Sequence, residues 1–231
     1  MKAYAIVIKG NEVSELGYVN LVKSSHAVGN TFKIERYDAV TPDIAIDSLK
    51  DIDVVWNYPW DKPVRDIASG LLKTPYSTKN RKAHIACSLS HYNLWSKCYS
   101  SDETFLIMEH DAIWKKPLAS WIAVDPIHDI IGINDPRGAT RRSLQFHTLL
   151  QQREALVSRP PAIDEDHVPQ GIAGNSAYIM KRSGASKMIN LVKEYGLWPN
   201  DALMCRQLVK TLGTSKVYYT GVQGLPSTTT L

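Results

Sequence analysis

The sequence has no apolar run long enough to cross a membrane. A membrane-spanning helix needs roughly 20 mainly apolar residues, and no segment of the 231-residue chain approaches that length. The first residues, Met1–Ile8, are short and strand-like and lack the small-residue cleavage site of a secretory signal. We therefore expect a cytoplasmic protein.

Several residue patterns that define other protein classes are also missing. Only three cysteines occur, with no Cys-x-x-Cys spacing, which argues against a disulfide framework. No Gly-x-Gly-x-x-Gly follows the first predicted strand and no Gly-Lys-Ser/Thr occurs, which disfavours dinucleotide-binding and P-loop proteins. No Gly-x-Ser-x-Gly elbow is present, which disfavours a Ser-His-Asp hydrolase. The formal net charge of +4 is too mild to indicate nucleic acid by itself.

What remains is a chain that alternates between strand and helix patterns. Its hydrophobic fraction of 44% can support a core. The segments predicted as strands are Ala3–Ile8, Thr31–Val40, Ile52–Trp56, Thr104–Met108, Asp129–Ile133, Ser176–Met180 and Lys216–Thr220. Helices are predicted over Glu15–Ser24, His84–Tyr99, Ser183 to Gly196 and Asp201–Leu212. This alternation predicts one α/β domain over residues 1–231, with a mainly parallel sheet flanked by helices.

A long polar stretch, 134–170, interrupts that pattern, and we expect it to be a loop-rich excursion on the acceptor side of a substrate site. It carries a cluster of arginines: Arg137, Arg141, Arg142, Arg153 and Arg159. The cluster is either a solvated surface or an anion site for substrate phosphates.

One strand ends in an acidic turn. The apolar run Phe105–Met108 is followed by Glu109, His110 and Asp111. In open parallel sheets, ligands bind beyond the carboxyl ends of strands, and a hard cation such as Mg²⁺ or Mn²⁺ takes carboxylate and phosphate oxygens there. An acid-x-acid triplet alone is weak evidence, because many strands end in acidic turns.

The context of that turn resembles glycosyltransferase family 25, which contains lipooligosaccharide and procollagen galactosyltransferases. The family pattern is a helix with a Cys-x-x-Ser-His core, then a spacer, then an apolar strand ending in Glu-Asp-Asp. Here the helix carries Cys87-Ser88-Leu89-Ser90-His91 before the strand and turn at 105–111. Further pieces follow in the family's order, at Glu35–Val40, Gly174–Ala185, Pro199–Asp201 and Pro226–Thr228.

The chain departs from the family in two places. His110 replaces the middle Asp of the triplet, which removes one potential ligand or donor contact. The first loop, Ile8–Glu12, lacks the family's Asn-Leu and Arg-rich segment, which leaves the nucleotide and sugar open.

The resemblance implies a GT-A fold and metal-dependent, inverting transfer of a hexose to a saccharide or glycoconjugate. The donor would be a nucleotide-diphospho-sugar, with a UDP-hexose expected. It implies Mn²⁺ or Mg²⁺ on Glu109 and Asp111, and donor contacts from Ser90, His91, Glu109 and Asn175. For His91, a hydrogen-bonded structural role in the core is the competing interpretation.

Inversion by direct displacement needs a general base for the acceptor hydroxyl. Asp201 is the first candidate, because it matches the family's Pro-x-Asp position, although it could equally cap a helix. Asp135, after the strand ending at Ile133, is the second.

Two other functions stay open from the sequence. The arginine cluster is the only support for a phage-type enzyme that glycosylates a modified DNA base. The altered triplet and first loop would also suit a sugar-binding module that has lost catalysis.

Overall fold

The computed structural model describes residues 1–76, 78–139, 142–226 and Thr228. The strands are β1 Lys2–Val7, β2 Ile34–Asp38, β3 Val64–Arg65, β4 Leu72–Lys73, β5 Phe105–Glu109, β6 Ala112–Trp114, β7 Ile130–Gly132, β8 Val157–Ser158, β9 Ala177–Met180, β10 Leu212–Ser215 and β11 Thr220–Val222. The helices are α1 Glu12–Ala27, α2 Ala45–Asp51, α3 Arg81–Tyr99, α4 Ser143–Gln151, α5 Arg182–Tyr195 and α6 Asn200–Leu203, with a 3-10 turn at Ser120–Val124.

A seven-stranded sheet organises the described residues, in the order β2-β1-β5-β9-β7-β10-β8. The parallel pairs are β1 with β2, β1 with β5, and β7 with β10. Strand β9 is antiparallel to both neighbours, and β8 is antiparallel to β10. Five of the seven strands therefore share one direction, and the predicted α/β fold with a mainly parallel sheet flanked by helices is confirmed.

The central strands are buried on both faces, which explains their continuous apolar sequences. Along β5, Phe105 and Ile107 belong to one core cluster, and Leu106 and Met108 belong to the other. Successive strand side chains point to opposite faces, so each cluster covers one face of the sheet. Helices α3 and α5 pack on the first face, and α1 packs on the second.

Helix α3 begins where the sequence provides a cap. The side chain of Asn80 accepts a hydrogen bond from the backbone N–H of Ala83 at 3.0 Å, which satisfies one free donor of the first turn. From there the helix runs to Tyr99 and buries a broad face that includes Trp95. The predicted helix His84–Tyr99 is confirmed and extends three residues further toward the N-terminus.

Three of the predicted helices and strands are wrong. The segment predicted as helix Asp201–Leu212 forms only the short α6 and a series of turns, and Leu212 opens strand β10. The predicted strand Lys216–Thr220 is mainly the turn between β10 and β11, and Ile52–Trp56 contributes one isolated bridge, from Trp56 to Leu197. Tertiary packing overrides weak local patterns at such positions.

The polar stretch 134–170 contains regular structure. It holds α4, and β8 pairs with the edge of the sheet. Of its arginines, Arg141 lies outside the described residues. Arg137 binds Asp135, Arg142 binds the carbonyl of Ile163, and Arg159 binds the carbonyl of Arg206.

A two-stranded hairpin, β3–β4, carries a buried ion pair. The ammonium group of Lys73 lies 2.7 Å from Asp66, and the two side chains are 3% and 9% exposed. The same ammonium donates to the carbonyl of Asn57 and lies 4.8 Å from the ring centre of Trp198. This network connects the hairpin to the segment that leads into α6.

Candidate active site

Three adjoining cavities form a cleft at the end of the sheet where β5 stops. The strand-end cavity, of about 220 Å³, is lined by Ser90, His91, Glu109, His110 and Asp111 among others. The central cavity, of about 200 Å³, shares Glu109 and Cys87 with it. The loop cavity, of about 430 Å³, shares Tyr76 and Asp201 with the central one.

This arrangement brings most of the predicted site residues together. Ser90, His91, Glu109 and Asp111 line the strand-end cavity, and Glu109, Asn175 and Asp201 line the central one. Asp135 is not among the residues lining any of the three. Its carboxylate binds Arg137 at 2.7 Å and Lys115 at 3.1 Å, and the Arg137 hydrogen bonds hold the pKa of Asp135 well below its usual range.

Glu109 is held in place by a buried chain of hydrogen bonds. Its carboxylate lies 3.2 Å from His91 Nε2, and His91 Nδ1 lies 2.8 Å from the hydroxyl of Tyr178. That hydroxyl accepts a hydrogen bond from Trp95 Nε1 at 2.9 Å. Because the Tyr178 oxygen already accepts from Trp95, its own proton is free for His91 Nδ1, which places the imidazole proton on Nε2, facing Glu109.

The carboxyl groups of the acidic turn differ in their protonation. Burial opposes ionisation of Glu109, but the hydrogen bond and electrostatic attraction of His91, with a smaller contribution from His110, together outweigh it and hold the pKa of Glu109 below the ordinary value. Burial raises the pKa of Asp111 to about 7, and the Glu109 carboxylate adds to that rise. One Asp111 oxygen, Oδ1, is buried and has no hydrogen-bond partner among the described residues.

The turn residue His110, which stands where the family has Asp, contributes no third carboxylate to the turn. Its ring lies against β1 and forms a hydrogen bond with the backbone of Ile6, and burial lowers its pKa. Gln223 fixes the same turn from the other side, because its side-chain amide donates to the carbonyls of His110 and Ala112. The turn is therefore anchored between β1 and the segment after β11.

Ser90 supports the cavity edge. Its hydroxyl donates to the carbonyl of Ala86 and accepts from the backbone N–H of Val40 at 2.9 Å. Val40 also lines the strand-end cavity. Ser90 thus fixes the loop after β2 against α3.

Asn175 carries the strongest unmet hydrogen-bonding capacity of the cleft. It is 7% exposed, and neither its amide nitrogen nor its amide oxygen has a partner among the described residues. The two preceding residues, Ala173 and Gly174, have φ of +57° and +95°. An alanine in this left-handed region is strained, and such strain is a recurring feature of functional sites.

Asp201 lies where the central and loop cavities meet. Burial raises the pKa of its carboxyl group, while a hydrogen bond from the Tyr76 hydroxyl acts in the opposite direction. The ring of Tyr76 stacks between Tyr58 and His84, with ring centres 5.9 and 5.8 Å away. Sequence patterns assigned no role to Tyr76, Tyr178 or Trp95, although Tyr178 lies in the matching piece Gly174–Ala185, because their roles depend on contacts between distant segments.

An α/β protein with acids at a strand end and an aspartate across a shared cleft has the parts of a sugar-transfer enzyme, and the comparisons with known proteins identify the chain as a glycosyltransferase. More particularly, residues 28–204 match the model of glycosyltransferase family 25 (LPS biosynthesis protein), so the chain belongs to that family. The resemblance seen in the motifs is confirmed. No curated protein matches the chain.

Two solved structures are similar to this chain in their overall fold. The galactosyltransferase LgtC, in complex with donor and acceptor sugar analogues, shares 10% identity at a TM-score of 0.44, over 93% of this chain and 73% of that one. The apo form of mouse xyloside xylosyltransferase 1 shares 10% identity at 0.41, over 91% and 80%. Likenesses this low carry no argument about the site. Among the described residues, no helix has the length and apolarity needed to span a bilayer.

Proposed function

We propose that the chain transfers a hexose from a nucleotide-diphospho-sugar, with a UDP-hexose as the expected donor, to a hydroxyl of a saccharide or glycoconjugate. The transfer is metal-dependent and inverts the anomeric carbon. The observation that carries the proposal is the set of three adjoining cavities, which has Glu109 and Asp111 at one end and Asp201 between its central and loop cavities.

The donor is assigned to the strand-end and central cavities. The residues fit a hard cation, because Glu109 and Asp111 offer carboxylate oxygens and Asp111 Oδ1 is buried without a partner. A Mn²⁺ or Mg²⁺ ion held by these two side chains would neutralise charge on the diphosphate leaving group. The buried chain through His91 orients Glu109, and Asn175 offers its unpaired amide to the sugar or diphosphate.

Asp201 is the proposed general base. Its carboxylate faces both the central and the loop cavity, so an acceptor hydroxyl entering from the loop cavity would meet it before the donor. The pKa raised by burial makes the carboxylate a better proton acceptor than an exposed aspartate. The Tyr76 hydroxyl holds that carboxylate in one orientation.

The placement of these groups supports inversion. Glu109 and Asp201 both line the central cavity, with the acidic turn on its strand-end side and Asp201 on its loop side, which suits a single displacement with the acceptor attacking opposite the leaving nucleotide. The polar stretch 134–170 contributes Arg142, Phe146 and Asp164 to the loop cavity. This supports the expectation that the stretch lies on the acceptor side of the substrate site.

The test is turnover of a panel of UDP-, GDP- and CMP-sugars with Mn²⁺ or EDTA, scored by nucleotide release, with NMR of the product anomer. We expect one donor to be cleaved only with metal. Asp201→Asn should lower kcat about 10²- to 10⁴-fold, the usual value of a general base. The matched control is Asp135→Asn, whose turnover should stay within about threefold of the native enzyme.

Three outcomes would contradict the proposal. If Asp135→Asn removes turnover and Asp201→Asn does not, the base is misassigned. If the product retains the donor's anomeric configuration, single displacement is wrong. If no nucleotide sugar is cleaved but one raises the melting temperature, the chain is a binding module without catalysis.

A further inference from the structure

A cluster of three different metal-ligand types lies where the strand-end and central cavities meet. Cys87 Sγ, a ring nitrogen of His91 and a carboxylate oxygen of Glu109 all lie within 4.8 Å of one another. Cys87 and His91 are one turn apart on α3, and Glu109 ends the neighbouring strand β5. Two rigid elements thus hold the three ligands around one point.

The donor set favours a soft or borderline cation. Thiolate and imidazole are the usual ligands of Zn²⁺, whereas Mg²⁺ and Mn²⁺ prefer oxygen. In a four-coordinate zinc site, bonds of about 2.0–2.3 Å place neighbouring ligands roughly 3.3–3.8 Å apart. Ligand atoms already within 4.8 Å need only small side-chain movements to reach that geometry.

The outer contacts of His91 are those of a metal-binding histidine. The ring is fully buried, and its far nitrogen, Nδ1, lies 2.8 Å from the Tyr178 hydroxyl, which Trp95 holds in turn. Ligating histidines nearly always donate the proton of the second nitrogen to such a partner, so the site uses the tautomer of His91 that carries its proton on Nδ1. Only Nε2, on the Glu109 side, is left for a metal.

The cluster is also open to solvent. Cys87 is only partly buried, and together with Glu109 it lines both the strand-end and the central cavity. An ion can enter from the cleft, and a water can complete a site with three protein ligands.

We propose that Cys87, His91 and Glu109 form a Zn²⁺ site, and that filling it inhibits sugar transfer. The inhibition rests on the proposed function, because Glu109 would then be withdrawn from the donor site. On binding, the Cys87 thiol releases its proton to solvent. His91 stays neutral, because its one proton shifts from Nε2 to Nδ1, which then donates it to the Tyr178 oxygen, and the Tyr178 hydroxyl turns its own proton away.

The first test is spectroscopic and does not depend on activity. Co²⁺ added to the full chain should give a thiolate-to-cobalt charge-transfer band, which Zn²⁺ then removes. Cys87→Ser should abolish the band. Cys98→Ser, a buried change on the same helix, should keep it. The absence of a band in the native chain, or its survival in Cys87→Ser, would overturn the site.

A second measurement needs no variant. Zn²⁺ should slow alkylation of Cys87 by iodoacetamide at least tenfold, as read by peptide mass spectrometry of the native chain. Equal alkylation with and without Zn²⁺ would also count against the site, whatever the variants' folding.

The third test concerns inhibition. At fixed Mn²⁺ and donor, the Zn²⁺ concentration that halves nucleotide release should rise at least tenfold in Cys87→Ser, measured against that variant's own rate without Zn²⁺. Equal sensitivity would refute the inhibitory role. If no donor is turned over at all, the proposed transfer fails while the cobalt band still decides the site.

Discussion

Removal of one hydroxyl group, in Tyr178→Phe, tests how Glu109 is positioned. The Tyr178 hydroxyl lies 2.8 Å from His91 Nδ1 and 2.9 Å from Trp95 Nε1, and all three side chains are fully buried. Phenylalanine keeps the ring but leaves two buried polar atoms without a partner. Each such atom costs about 1–3 kcal/mol, so for the two atoms we expect a loss of about 2–6 kcal/mol in the free energy of unfolding.

Thermal and urea unfolding followed by circular dichroism measure that loss. In a chain of this size, each kcal/mol lowers the melting temperature by about 2–4 °C, so the expected drop is roughly 4–24 °C. The matched control is Tyr18→Phe, which removes a single hydrogen bond to the carbonyl of Ile34 and should cost only about 1 kcal/mol.

The same variant should weaken metal binding. Without the Tyr178 hydroxyl, either nitrogen of His91 can carry the proton, and Glu109 loses its fixed donor. Loss of such an outer partner typically costs 10- to 100-fold in metal affinity, so we expect Mn²⁺ to bind at least tenfold more weakly by calorimetry. A variant as stable as Tyr18→Phe, with native Mn²⁺ affinity, would refute the chain of hydrogen bonds as the device that positions Glu109.

Three further changes test other parts of the structure. Tyr76→Phe removes the hydrogen bond that lowers the pKa of Asp201. The acid limb of the kcat/KM pH profile, where activity is lost as the base is protonated, should therefore move to higher pH. If this limb does not move, Asp201 is not the general base. Lys73→Met leaves the Asp66 carboxylate buried and unpaired and should cost about 3–5 kcal/mol in urea unfolding, much of it recovered when Asp66→Leu is added. Gly17→Ala places a methyl group 2.7 Å from a backbone carbonyl oxygen of the acidic turn, and the clash should cost about 1–3 kcal/mol; native stability would show that the turn can move.

The parts of the fold that the sequence predicts well are those with continuous local signals. Phe105–Met108 is apolar at every position and bounded by polar residues, and such a run is typical of a strand buried on both faces. Helix α3 likewise is predicted from His84 to Tyr99 and forms over Arg81–Tyr99. These two elements carry most of the strand-end site, and the resemblance of their motifs to the family is what allowed its residues to be named from the sequence.

The helix predicted over Asp201–Leu212 does not form, and the reason is physical. Its apolar residues suit a helix by spacing, but Leu203, Met204 and Cys205 are buried in the large core cluster while the chain turns sharply. Leu212 then pairs with Ile130 at the sheet. Sheet pairing between residues 82 positions apart leaves no signal in a local window.

The contacts that the site residues make with their partners were likewise not predicted from the sequence. Tyr178 lies on β9 and His91 on α3, 87 residues apart, and their contact exists only because β9 pairs with β5 beneath the helix. The same holds for Tyr76 and Asp201. A motif can therefore indicate which side chains do chemistry, while the groups that set their protonation and orientation come from the tertiary fold.

The electrostatics of the cleft support a cationic cofactor independently of the family. Burial accounts for most of the rise in the pKa of Asp111 and Asp201, and the negative charge of Glu109 raises both further. Against the effect of burial, His91 and His110 together hold the pKa of Glu109 below its ordinary value. The ionised forms of these three partly buried carboxyl groups thus repel one another, and a divalent cation at the acidic turn would reduce that repulsion. Because the relief would be greatest for Asp111, we infer that Asp111→Asn should weaken Mn²⁺ binding while raising the stability of the metal-free chain.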